Sequence, residues 1–132
     1  MRDFRQRLAT GQVLIFDGAM GSLLQQRGLQ AGESPEEFGV RESGVVAAIH
    51  AEYAAAGAEV ATTNTFGATR TKLPAGLRAV EVNEALARAA RQAVGEHIFV
   101  AGSVGPTGKM IEPLGDVSFR ELVQIFREQI EG

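Results

Sequence analysis

The segment Val13-Leu14-Ile15-Phe16-Asp17-Gly18-Ala19-Met20-Gly21 places a carboxylate at the end of an apolar, strand-forming run and follows it with glycines. An acid at such a position can accept an ammonium group, and Gly18 and Gly21 let a ligand come close to main-chain N–H groups. The same residues also suit a plain strand-to-loop turn in which Asp17 caps a neighbouring amide. A second cluster, Thr62-Thr63-Asn64-Thr65-Phe66-Gly67, gathers side-chain donors and acceptors beside a glycine. On its own it also reads as a run of satisfied strand-end hydroxyls. Asp17 together with Thr63 and Asn64 is the more suggestive set. An acid for an ammonium group, beside free amides for a carboxylate, is how an α-amino acid is held. Residue type does not choose between that ligand and another small polar one.

A third cluster, Gly102-Ser103-Val104-Gly105-Pro106-Thr107-Gly108-Lys109, invites a nucleotide reading that fails on spacing. The phosphate-binding loop needs glycine where Ser103 stands and Ser or Thr where Met110 stands. The glycines do not form the dinucleotide fingerprint, and Pro106 lacks an amide that could meet a phosphate. Metal and thiol chemistry are restricted as well. With no cysteine there is no disulfide, no thiolate nucleophile and no thiolate metal site. Only His50 and His97 offer imidazole, and no motif pairs them. His50 falls beside an apolar helix face, where a packing or hydrogen-bonded role is the plainer reading.

The elements that must position these residues follow from periodicity. Residues 2–9 carry Phe4 and Leu8 at helical spacing, an amphipathic helix leading into the first strand. Residues 13–16 show no polar alternation, so they read as a strand covered on both faces. Residues 22–26 read as a helical turn ended by Gly28. Residues 30–41 are polar, with Gly32, Pro35 and Gly39, and read as a loop. Ser43 reads as the N-cap of a helix whose face is Val45, Val46, Ile49 and Tyr53, ended by Gly57. Residues 58–61 form a second strand. Leu77, Val80, Ala87, Ala90 and Val94 mark a helix closed by Gly95. Residues 98–101 form a third strand. Ser118 and Glu121 have capping-box spacing before a last helix with Leu122, Val123, Phe126 and Ile130 on its apolar face. The alternation is that of an α/β chain with parallel strands, about three βα units of a barrel or a small open sheet. In such sheets the polar loops after the strands share one end, where ligands bind.

The composition is that of a soluble chain: 45% hydrophobic and 22% charged residues over 132 positions suffice for one cored domain. A net charge of −3 favours neither nucleic acid nor an anionic membrane. No apolar run is long enough to span a bilayer and no signal-peptide pattern is present, so the cytoplasm is the expected compartment.

Asp17-Gly18-Ala19-Met20-Gly21, Thr63-Asn64-Thr65-Phe66-Gly67-Ala68-Thr69-Arg70 and 102–108 resemble the homocysteine S-methyltransferase family, and Glu112-Pro113-Leu114-Gly115-Asp116 continues the likeness. Within the family the resemblance is greatest to the homocysteine-binding domain that begins cobalamin-dependent methionine synthase. A homocysteine methyltransferase with an added reductase domain is a neighbouring possibility. The resemblance implies a TIM (β/α)8 barrel of which residues 1–132 are the N-terminal part, with homocysteine held at the strand ends. It implies that Asp17 holds the substrate's amino group, and that the amides around Gly18 and Ala19, with Thr63 and Asn64, hold its carboxylate. It implies zinc to make the substrate thiolate, methylcobalamin as donor in the methionine-synthase case, and cobalamin and folate domains elsewhere in the parent protein. The family's zinc ligands are cysteines of the later half of the barrel, which this sequence does not contain. The expectation is therefore a substrate-positioning fragment, inactive alone and prone to self-association through bare strand edges. The contrasting expectation is a non-catalytic module that binds a small amino acid or a partner chain.

Overall fold

The computed structural model describes residues 3–132. In chain order it contains α1 (Phe4–Ala9), α2 (Gly21–Gln26), α3 (Pro35–Arg41), α4 (Ser43–Ala55), β1 (Val60–Thr62), α5 (Ala79–Val94), β2 (Phe99–Ala101) and α6 (Phe119–Glu131). β1 and β2 pair in parallel, with Val60 opposite Phe99 and Thr62 opposite Ala101. The fold is thus mixed α/β around a small parallel sheet. Each strand is shorter than expected, and β1 begins two residues later than the expected 58. Among the described residues, no helix is long and apolar enough to cross a membrane.

The segment at 13–16 corrects the sequence reading. It meets the sheet through one parallel bridge, Phe16 to Val60, on the side of β1 away from β2. The Asp17 amide donates to the Val60 carbonyl at 2.9 Å, and the Val60 amide to the Ile15 carbonyl at 3.2 Å. Yet Val13 is 83% exposed, Ile15 57% and Phe16 51%, so the run is not covered on both faces. Strand-forming residues favour an extended backbone, but burial needs packing neighbours that propensity does not supply.

Residues 30–41 are not a loop throughout. α3 occupies the second half because Ser34 is an N-cap whose hydroxyl accepts from the Glu37 amide at 3.2 Å, Pro35 opens the helix, and Glu36 and Glu37 lie in its first turn. Ser43 is not the cap of α4 but its first residue; Glu42 stands at the cap position and makes no side-chain cap bond. Gly57 does follow the helix at a φ of 104°, a conformation glycine adopts without strain. The Ser118 cap of α6 is formed as expected, accepting from the Glu121 amide.

Two helix faces are rotated from the expected ones. On α5 the buried residues are Ala79, Val82, Asn83, Leu86, Ala89 and Ala90, with Val80 and Ala87 at the margin. On α6 they are Ile125 and Gln129, whereas Val123 and Ile130 are exposed. The core lies in two clusters. One joins Leu24, Leu29, Phe38, Val46 and Ile49; the other joins Ala68, Leu73, Ala79, Val82 and Leu86. α4 supplies Val46 and Ile49 to the first cluster, packs on α5 and contacts β1. α1 is held to the sheet by Phe4, edge-on to Phe99 at 5.1 Å, and by the Arg7–Glu59 ion pair. Arg2, expected in that helix, lies outside the described residues.

Candidate functional site

The carboxyl ends of the first bridged segment, β1 and β2 come together, and the expected site residues gather there in two groups. Asp17 lies behind the surface with its side chain 3% exposed. Its Oδ2 accepts from the Thr62 amide at 2.8 Å, which fixes the carboxylate to the end of β1. Oδ1 meets no donor among the described residues. In front, Gly18, Thr63 and Asn64 line a cleft of about 320 Å³, with Phe66 and Ser103 also in its wall. The Gly18 and Ala19 amides find no acceptor among the described residues, as carboxylate-binding amides require. Neither Asp17 nor Ala19 is among the residues that line the cleft; the Ala19 carbonyl accepts from the Tyr53 hydroxyl at 2.9 Å. Tyr53 crowds Gly18 so closely that a Cβ there would stand 2.8 Å from the hydroxyl oxygen, so only glycine fits without a shift.

Thr63 and Asn64 are near the site but their side chains are already engaged. The Ser103 amide donates to Thr63 Oγ1 at 3.0 Å, Thr63 and Thr65 share a hydroxyl contact of 2.6 Å, and Thr65 Oγ1 donates to the Ser103 carbonyl. With the Thr65 proton committed to that carbonyl, the shared proton belongs to Thr63. The ring ties the loop after β1 to the loop after β2. Asn64 Nδ2 donates to the Pro35 carbonyl at 2.8 Å and so pins the start of α3. Both residues stand in the cleft wall with these contacts made, and Asn64 keeps a second Nδ2–H beyond the one given to Pro35. Thr63→Val keeps the shape but leaves the Ser103 amide without its acceptor. It should lower stability by about 1–3 kcal/mol, read as a shift in the denaturation midpoint.

Other residues at this end make contacts that the sequence reading does not assign. Glu36 is buried, and its carboxylate accepts from the Gly67 amide at 2.6 Å and the Ser34 hydroxyl at 2.9 Å, clamping α3 to the loop after β1. Gly105 closes on Phe66, whose carbonyl accepts from its amide. His50 is fully buried on α4, as its apolar face foretold, but neither ring nitrogen has a hydrogen-bond partner. Its Nδ1 lies 3.9 Å from Asp17 Oδ2. Burial pushes its pKa below the ordinary histidine value, and the Asp17 carboxylate opposes part of that shift.

Among the described residues no group of three or more His, Cys, Asp or Glu side chains is arranged to hold a metal ion, and the sequence has no thiolate.

Comparison with known proteins meets this geometry. The family model described as homocysteine S-methyltransferase matches residues 14–132. The chain is 34% identical to betaine–homocysteine S-methyltransferase 1 of Mus musculus over 135 residues, covering 96% of this chain and 32% of that protein. The Sus scrofa protein of the same name is 33% identical, with 96% and 48% covered. In structure the chain is similar to the metallated form of the homocysteine methyltransferase MmuM from Escherichia coli, with a TM-score of 0.77, 26% identity, and 96% of this chain and 51% of that chain covered. The chain thus spans about a third to a half of the length of these relatives.

Proposed function

We infer the function from one premise: this chain belongs to the homocysteine S-methyltransferase family. It is the part of such an enzyme that grips homocysteine by its amino-acid end, in the N-terminal portion of a (β/α)8 barrel. The observation that carries this reading is the fixed Asp17 carboxylate, with Oδ1 free, beside the unengaged amides of Gly18 and Ala19. The ammonium group goes to Asp17 and the carboxylate to those amides, which leaves the thiol to project along the cleft. Thr63 and Asn64 shape the wall.

In the reaction proposed for the whole enzyme, the homocysteine sulfur attacks the donor's methyl carbon. A carbon–sulfur bond forms, and the electron pair of the donor's bond to that methyl leaves with the donor. The thiolate is the effective nucleophile, and a family metal would supply it. The residues present do not form a metal-binding set, so this chain's share is binding and orientation. Methylcobalamin, with cobalamin and folate domains in the same parent, has only the sequence resemblance behind it. The names of the mammalian relatives make betaine the donor to try first. We place the chain in the cytoplasm. Exposed apolar side chains such as Val13, Leu114 and Phe119 favour self-association of the chain.

Calorimetric titration of the chain with L-homocysteine tests the binding role. Saturable heat should appear with homocysteine and be much reduced with 4-mercaptobutanoate, which lacks the amino group. Equal affinity for the two, or no heat with either, would exclude this reading.

A further inference from the structure

The buried imidazole behind the site has no structural partner to explain it. His50 is 0% exposed, and both ring nitrogens are unpartnered. Buried polar groups are nearly always hydrogen-bonded, and one that is not calls for a reason. The nearest charged group is Asp17, whose Oδ2 lies 3.9 Å from Nδ1. That distance is too long for a hydrogen bond, yet a small shift of either side chain would close it. The Thr62 amide already donates to the same oxygen. Both protein groups therefore sit on the Oδ2 side, and Oδ1 is left without a donor.

We propose that His50 is a positioning residue for Asp17: its Nδ1–H faces Oδ2 and closes on it by a small side-chain shift, so that Oδ1 is held toward the ligand's ammonium group. The proposal deepens the homocysteine reading and rests on it. Two donors on one oxygen restrict rotation of the carboxyl group, which a single amide does not. A neutral imidazole suits this place. It donates one hydrogen bond without adding a positive charge that would repel the ammonium. The role requires the tautomer with the proton on Nδ1, the nitrogen that faces Asp17.

The test has two arms on the full 132-residue chain. In the first, ¹⁵N NMR of the His50 ring is recorded without ligand, in the wild type and in Asp17→Asn. The Nδ1–H tautomer is expected, with ring shifts that move when Asp17 loses its charge. An Nε2–H tautomer indifferent to Asp17→Asn would overturn the proposal. In the second arm, homocysteine affinity is measured for His50→Leu and His50→Asn. Leucine should weaken binding about tenfold, whereas asparagine, whose Nδ2 can occupy the place of the imidazole Nδ1, should recover most of it. Wild-type affinity in a folded His50→Leu would equally overturn the proposal. Should His50→Leu not fold, His50→Asn and the ring tautomer still decide. A wild-type chain that binds no homocysteine refutes the proposed function, and the ring tautomer then reports separately whether His50 holds Asp17.

Discussion

Replacing Asp17 by asparagine should weaken homocysteine binding about ten- to a hundredfold and leave the fold in place. The size follows from losing a charge-assisted contact to the ammonium group, worth roughly 1.5–3 kcal/mol. The choice of asparagine matters. Asp17 Oδ2 accepts from the Thr62 amide and so joins the first bridged segment to the end of β1. An asparagine oxygen can keep that bond, whereas Asp17→Ala would leave the amide unpaired and mix a stability loss of about 1–3 kcal/mol into the binding result. Calorimetry on Asp17→Asn, beside its thermal unfolding curve, separates the two effects. Homocysteine affinity equal to wild type would remove Asp17 from the site. The buried position of the carboxylate bears on the magnitude. Its side chain is 3% exposed, so water competes little with a ligand for Oδ1, and the result should lie toward the upper part of the range.

The features legible in the sequence were those set by local chemistry. Asp17 followed by glycine, the cap at Ser118 and the glycine after α4 each depend on neighbours a few residues away. The alternation of helices and apolar runs gave the parallel pairing of β1 and β2. What escaped was fixed by distant partners. Residues 30–41 look polar and broken by Pro35 and Gly39, but Glu36 is held by the Gly67 amide 31 residues later and Asn64 holds the Pro35 carbonyl from 29 residues away. Gly39 looks like a loop residue because it is small. In the structure it is small because a Cβ there would lie 2.7 Å from Asn64 Nδ2 and 3.0 Å from Leu86 Cδ2. On α6 a search for apolar residues passes over Gln129. It is buried because its Nε2 donates to the Thr65 carbonyl at 2.7 Å, which turns the helix away from the face that Val123 and Ile130 suggest. At the site, Thr63 and Asn64 stand together in the wall of one cleft. The partners that engage them come from the loop after β2 and from α3, and spacing alone does not reveal those.

Leu86→Ala should destabilise the chain by about 2–5 kcal/mol, a large share of the roughly 5–15 kcal/mol that holds a typical domain. Leu86 is 1% exposed and packs with Ala68, Leu73, Ala79 and Val82. Its far end reaches α3 at Gly39, so it is the peg by which α5 seats that helix. The cavity left by alanine cannot easily collapse. Gly39 has no side chain to offer, and Asn64 holds the α3 backbone through the Pro35 carbonyl. Val13→Ala removes apolar atoms from a residue that is 83% exposed, so its effect should stay within about 0.5 kcal/mol. Urea denaturation of the two variants tests whether burial, rather than apolar character, decides the cost. A second substitution probes the contact itself. Gly39→Ala alone should cost about 1–3 kcal/mol by overpacking against Asn64, Leu86 and Val46. In the Leu86→Ala background the new methyl group meets one neighbour fewer and occupies part of the void. The double variant should therefore lose clearly less stability than the two single losses summed. Strict additivity would mean that Leu86 and Gly39 do not touch, and the seating of α3 on α5 would have to rest on other residues.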